Sequence, residues 1–163
     1  MTIVPATIEM LEALQRSPAE FADLIGSPVP DGWPEFPEAI EFTIDTLRAK
    51  PREAQWWLHF FLDGDGLLVG SGGFVGPPDD GVVEIGYEIA PGLRGRGLAT
   101  AAARAMVAKA FDTAGVHTVI AHTLARPSAS TSVLGHLGFG FVGEVADPEE
   151  GTIWCWELVA PTA

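Results

Sequence analysis

The chain predicts a mixed-sheet α/β (α+β) domain, and three features carry that reading. Residues at 56–62, 67–75 and 82–89 form runs rich in β-branched, aromatic and other apolar side chains. They are separated by Gly64-Asp65-Gly66 and by the stretch from Gly76 to Gly81, turn chemistry that signals an antiparallel meander. After Pro91 an alanine-rich helical stretch follows, and strand and helix patterns then alternate to the end, which makes the sheet mixed.

The elements follow in order. Ile8, Leu11, Leu14, Phe21, Leu24 and Ile25 recur at helical spacing over 7–25, with a break at Pro18. Residues 26–37 are rich in Pro and Gly and read as an ordered loop carrying Trp33 and Phe36. A helix over 38–49 places Ile40, Ile44 and Leu47 on one face. Beyond the meander, a helix over 98–111 presents Leu98, Ala102, Ala105, Met106 and Ala110 as its inner stripe. Gly115 ends it before a strand at 118–123 and a helix at 129–137, which stops at Gly138. Two last strands, 140–146 and 152–159, flank an acidic turn from Asp147 to Gly151. No internal repeat stands out, so residues 1–163 are expected to form a single domain.

Composition narrows the function classes. With 47% hydrophobic and 19% charged residues, the 163-residue chain is globular and has material for one core. No apolar run approaches the roughly 18 residues that span a bilayer, so no membrane partner is expected. Residues 1–5 lack the basic start and long apolar stretch of a signal peptide. Cys155 is the single cysteine, which excludes an internal disulfide and suits a reducing, cytoplasmic location. The net charge of −13 would repel phosphate, so nucleic acid is excluded as a partner. It would draw cationic amines, although acidity of this kind also serves solubility alone.

The most informative segment runs from Glu84 to Ala99: a strand, a glycine-rich turn and a helix start. Glycines let backbone approach a ligand closely, and the first amides of a helix lack intrahelical partners at the positive end of its dipole. Arg94 and Arg96 add charge, so the turn predicts a site for phosphate or another compact anion. A P-loop needs Gly-Lys, and no such pair occurs in the chain. A dinucleotide fingerprint is only partly met: Thr100 stands where its third glycine belongs, and the next strand ends Ala121-His122-Thr123 without a ribose-binding acid.

Arg94-x-x-Gly97-x-Ala99 matches the Arg/Gln-x-x-Gly-x-Gly/Ala signature of the GCN5-related N-acetyltransferases (GNAT) at each fixed position. Ser130-x-x-Val133-Leu134-x-x-x-Gly138-Phe139 resembles the second block of the RimJ/RimL-like branch of that family. The Glu84-Ile85-Gly86-Tyr87 strand and the Trp154-Cys155-Trp156-Glu157-Leu158 strand are similar to it as well. The resemblance implies a mostly antiparallel sheet of about six to seven strands, splayed at its centre, with about four helices. It implies acetyl-CoA as co-substrate, and as acceptor a small-molecule amine or a protein N-terminus, in a monomer or homodimer. Glu88, Ile89 and Ala90 would pair with the pantetheine arm, and Arg94, Gly95, Arg96, Gly97, Leu98, Ala99 and Thr100 would wrap the pyrophosphate.

Acetyl transfer needs an unprotonated amine, and therefore a base. Glu84 is the candidate, on a strand expected to face the cleft, with Glu88 or Glu144 in reserve; the competing reading of Glu84 is a solvent-facing residue on an alternating strand. The departing thiolate calls for a hydrogen-bond donor. Relatives use a tyrosine on the fourth helix, but that slot is Gly135 here, and Tyr87 is the only tyrosine. Ser130 is the alternative donor, against the reading that it caps its helix. Trp33 and Tyr87 are expected to contact substrate, whereas Trp56 and Trp57 read as core. The four histidines are scattered without metal-ligand spacing, so no metal is expected, and Cys155 between two tryptophans reads as an inert thiol. A coenzyme-A-binding sensor without turnover, and an acyltransferase using another acyl-CoA, remain open alternatives.

Overall fold

In the computed structural model, which describes residues 1–162, the chain begins with β1 (Thr2–Pro5), α1 (Ile8–Arg16), α2 (Pro18–Ile25) and α3 (Glu38–Ala49). It continues through β2 (Leu58–Leu62), β3 (Leu68–Phe74), β4 (Val82–Ile89), α4 (Leu98–Phe111) and β5 (Thr118–Leu124). The last elements are α5 (Ala129–His136), β6 (Gly140–Asp147) and β7 (Gly151–Val159), and short 3-10 turns cover Pro51–Trp56 and Pro91–Leu93. The mixed sheet is as expected, with a later start of the first meander strand and one additional edge strand.

The helical stretch over 7–25 breaks at Pro18 as expected, giving two helices. Ser17 divides them: its N–H closes α1 on the Ala13 carbonyl, and its hydroxyl accepts from the Glu20 amide to cap α2, with Pro18 in the first turn. The first strand was expected to start at Trp56, but Trp56 closes a 3-10 turn and β2 starts at Leu58. β1 is an additional edge strand, pairing Thr2 with Leu62 through Pro5 with His59.

The seven strands form one sheet in the order β1-β2-β3-β4-β5-β7-β6. Each neighbouring pair is antiparallel except β4 with β5, which run parallel. That parallel ladder runs from Val82↔Thr118 to Ile85↔Ala121 and stops there. Beyond Ile85, β4 keeps its register with β3 as far as Ile89, while β5 continues alongside β7. The sheet therefore splays at its centre, and the open wedge is where the C-terminal half of β4 leads into the glycine turn.

Two apolar layers fix this geometry. On one face α4 and α5 bury Ala102, Ala103, Met106 and Leu134 against Phe61, Val69, Val83, Ile85 and Val119. Ala103 takes the buried place expected of Ala105, which is half-buried. On the other face α1 to α3 bury Leu11, Phe21, Ile40 and Ile44 against Phe60 and Leu68. Small side chains on α4 let the helix lie close to the sheet, which brings its N-terminus to the wedge.

Candidate active site

The candidate anion site is built from backbone. Gly95 and Gly97 hold φ angles of 80° and 77°, left-handed values that a β-carbon would strain. Gly97 is the N-cap of α4, and the first intrahelical bond runs from the Ala101 amide to its carbonyl at 3.1 Å. The amides of Leu98, Ala99 and Thr100 therefore have no backbone acceptor among the described residues. A β-carbon at Gly95 or Gly97 would meet no atom within 4 Å, so the space beside the turn is open. These donors fit a pyrophosphate.

They border a cavity of about 500 Å³. Tyr87, Glu88 and Ile89 of β4 form one wall, the turn residues Arg94, Gly95 and Gly97 with Leu98, Ala99 and Thr100 form the end, and the start of α5 faces them. Two expected cofactor contacts do not line it: Arg96, which is exposed, and Ala90. Ala90 is buried, its amide donates to the Val69 carbonyl and its own carbonyl accepts from Leu93, both at 2.9 Å. Its backbone is already committed to the sheet and the following turn. The side chain of Arg94 is also engaged, with Nε donating to the Ile89 carbonyl at 3.0 Å and Nη2 to Glu35 at 2.7 Å.

A second cavity of about 200 Å³ adjoins the first, walled by Trp33, Phe36, Ile40, Leu58 and Phe60. Phe36, Tyr87 and Glu88 border both. Trp33 is only 6% exposed, stacks with Phe21, meets Phe60 edge-on, and donates from Nε1 to Ser71 Oγ at 2.9 Å. It is thus a core residue and a cavity wall at once. Trp56 and Trp57 border neither cavity; they pack edge-on against Phe74 and Phe42.

Glu88 occupies the junction. Its Oε1 accepts from the Glu35 amide at 3.2 Å, while Oε2 is buried without a hydrogen-bond partner among the described residues. Burial pushes its carboxyl above the usual range; the Glu35 amide and Arg94 oppose this, and the charges of Glu35 and Glu38 add to it. Glu84 lies elsewhere. It sits on the paired half of β4, Oε1 is 3.0 Å from His122 Nδ1, and it borders neither cavity. Alternation puts Glu84 and Glu88 on one face, but only Glu88 lies beyond the point where β5 diverges. Glu144 is exposed on β6, also outside both cavities.

Ser130 is not the cap of α5. Ser128 accepts from the Thr131 amide, and Thr131 Oγ1 accepts in return from the Ser128 amide, a closed capping box. Ser130 instead lines the larger cavity together with Tyr87. Burial raises the pKa of the Tyr87 hydroxyl, with Ser130 acting in the other direction, so the phenol stays protonated at neutral pH. A phenol therefore enters the cleft from β4, although Gly135 leaves none on α5. Leu93, Ser128 and Val133 also border the larger cavity, as do Glu35, Ser132 and His136, for which no local signal in the sequence exists. The Cys155 thiol is held above its usual pKa by burial and by Glu84 and Glu157, which leaves it protonated. Among the described residues no three His, Cys, Asp or Glu side chains gather as a metal site, and no helix is long and apolar enough to cross a membrane.

A centrally splayed mixed sheet with an anion-accepting turn at the head of the crossing helix defines a coenzyme-A-type acyltransferase fold. The chain belongs to the GNAT acetyltransferases: the model of the acetyltransferase (GNAT) domain matches residues 1–140. No curated protein sequence matches it. Among solved structures, a chimera of the Vibrio cholerae spermidine N-acetyltransferase SpeG with hSSAT superposes with a TM-score of 0.72 at 13% identity, covering 98% of this chain and 96% of the other. A ribosomal-protein-alanine N-acetyltransferase from Brucella melitensis gives 0.66 at 20% identity, covering 98% and 100%. The microcin self-immunity acetyltransferase MccE, in complex with acetyl-CoA and AMP, gives 0.66 at 15% identity, covering 98% and 92%. At these identities the likeness is one of fold.

Proposed function

We propose that this chain, as a single domain, transfers an acetyl group from acetyl-CoA to a primary amine by direct attack in a ternary complex, as a RimJ/RimL-like enzyme of the cytoplasm. The observation that carries the reading is the meeting of two cavities at Tyr87 and Glu88, where the sheet opens. The larger has an anion-binding end suited to a pyrophosphate, and the smaller is shaped for an acceptor.

Bound acetyl-CoA supplies the acetyl group as a thioester. Gly95, Gly97, Leu98, Ala99 and Thr100 would hold its phosphates through backbone amides, and the edge of β4 that β5 leaves unpaired, at Tyr87 and Ile89, would run beside its arm. Glu88 replaces Glu84 as base: its carboxyl borders both cavities and its raised pKa makes it a better acceptor for the proton the amine loses. Ser130, backed by the protonated Tyr87, offers a hydrogen bond where the thiolate departs. Trp33 shapes the acceptor wall. Thiol release with acetyl-CoA and a panel of primary amines tests the reading. Turnover is expected in the wild type and a loss of about 100-fold or more in Glu88→Gln. Full turnover in that variant would remove Glu88 as base.

A further inference from the structure

We propose that the acceptor is a small primary monoamine with one compact, benzene-sized apolar body, bound with its nitrogen at Glu88 and its body in the smaller cavity. The inference rests on the acetyl-transfer reading and adds the substrate class.

The argument starts from what the smaller cavity offers. Its walls are Trp33, Pro34, Phe36, Ile40, Leu58 and Phe60, with Ala39 at the α3 side. Three polar side chains reach it: Ser71, Tyr87 and Glu88. Ser71 is engaged by the Trp33 indole at 2.9 Å, and Tyr87 is shared with the larger cavity, which Ser130 also lines. Glu88 Oε2 is buried and has no partner among the described residues. A buried carboxylate oxygen without a donor is costly, and a primary amine or ammonium supplies the missing donor.

Charge and volume complete the specification. Glu88 is the only charged side chain bordering this cavity among the described residues, so there is a place for one cationic nitrogen. The carboxylates of Glu35 and Glu38 lie close enough to Glu88 to act on its charge, and they favour a cation there. A second ammonium carried into the apolar part would find no counter-charge, and the free carboxylate of an amino acid would find no cation bordering this cavity; Arg94, on the other side of Glu88, is already held by Glu35 at 2.7 Å and by the Ile89 carbonyl at 3.0 Å. An apolar cavity of about 150 Å³ takes up benzene, so about 200 Å³ has room for such a ring and a short linker.

The test uses the full chain with acetyl-CoA and four acceptors: phenethylamine, spermidine, free phenylalanine and a peptide with an N-terminal phenylalanine. Thiol release is followed in parallel with calorimetric binding of each amine to the complex with coenzyme A. Phenethylamine is expected to exceed each of the others by at least about tenfold in kcat/KM. Ala39→Phe, which fills the cavity from its half-buried rim, is expected to raise the phenethylamine KM by at least about tenfold without changing coenzyme A affinity. Preference for spermidine, the amino acid or the peptide would overturn the inference and leave acetyl transfer standing. Binding of phenethylamine, abolished by Ala39→Phe, with no thiol released on any amine would support the assigned site and overturn the transfer reading. Absence of phenethylamine binding and turnover would overturn the inference.

Discussion

Arg94 donates from Nη2 to Glu35 Oε2 at 2.7 Å, joining the glycine turn to the loop that walls the smaller cavity. The same Glu35 donates its amide to Glu88. One residue thus touches both the glycine turn and the proposed base, and Arg94 would have to share its charge between Glu35 and any phosphate bound there.

Removing that competition should tighten coenzyme A. Both partners are about half exposed, at 51% and 46%, so the pair contributes modestly. Exposed ion pairs of this kind are worth about 0.2–1 kcal/mol, and Glu35→Gln is expected to lower the coenzyme A Kd by roughly 1.5- to 5-fold at low salt. The gain should shrink as ionic strength rises. Calorimetric titration at two salt concentrations measures it.

Glu88 should impose the acid limb of the rate profile. Its carboxyl is held above the usual range, mainly by burial, and it must be ionised to accept a proton. kcat/KM is expected to fall as pH drops through that raised pKa, which lies above that of an ordinary glutamate. Glu88→Gln should flatten this limb while coenzyme A affinity stays within about twofold. Profiles of wild type and variant between pH 5 and 9 test it.

Gly72 should prove a structural requirement of the site. A β-carbon there would meet the Gly86 carbonyl oxygen and would lie 2.7 Å from both the Tyr87 Cα and a Phe61 ring carbon. Two of these atoms are backbone of β4 and cannot rotate away. Gly72→Ala is expected to destabilise the fold by about 1–3 kcal/mol. Urea unfolding should show a lower midpoint with an unchanged slope.

His59 should make stability depend on pH. Burial first, and then Lys109, lower its pKa from 6.5 to about 4, against the hydrogen bond with the Trp57 carbonyl. Lys109 Nζ lies 2.8 Å from His59 Nε2, and the ring is neutral, with Nδ1 donating to Trp57. Between pH 6.5 and 4 the unfolded chain holds the extra proton, so stability rises with pH across this window and is lost on acidification. A drop from 6.5 to about 4 corresponds to on the order of 3 kcal/mol. His59→Gln should remove this part of the slope when unfolding is followed from pH 7 to 4.

Much of the scaffold is legible in local sequence because local chemistry sets it. Gly95 and Gly97 mark left-handed backbone at a helix start, and the stretch from Gly76 to Gly81 marks a turn; both sit where expected. β1 escapes because four residues ending in proline carry little pattern, and their strand exists only through pairing with β2. Alternation identifies the shared face of Glu84 and Glu88 but not the residue at which β4 leaves β5. That point follows from long-range packing, and it separates an ion-paired Glu84 from a cavity-lining Glu88. Glu35 meets Glu88 and Arg94 across 53 and 59 positions, a contact no local signal announces. Trp33 looks like a free loop aromatic because its burial partners, Phe21, Phe60 and Ser71, lie far away in sequence.

The most direct test of the account is a crystal structure of the chain with coenzyme A. The pyrophosphate is expected within hydrogen-bond distance of backbone amides between Arg94 and Thr100, with the thiol end reaching the junction at Tyr87 and Glu88. A pyrophosphate bound away from that turn, or a thiol pointing away from that junction, would contradict the account.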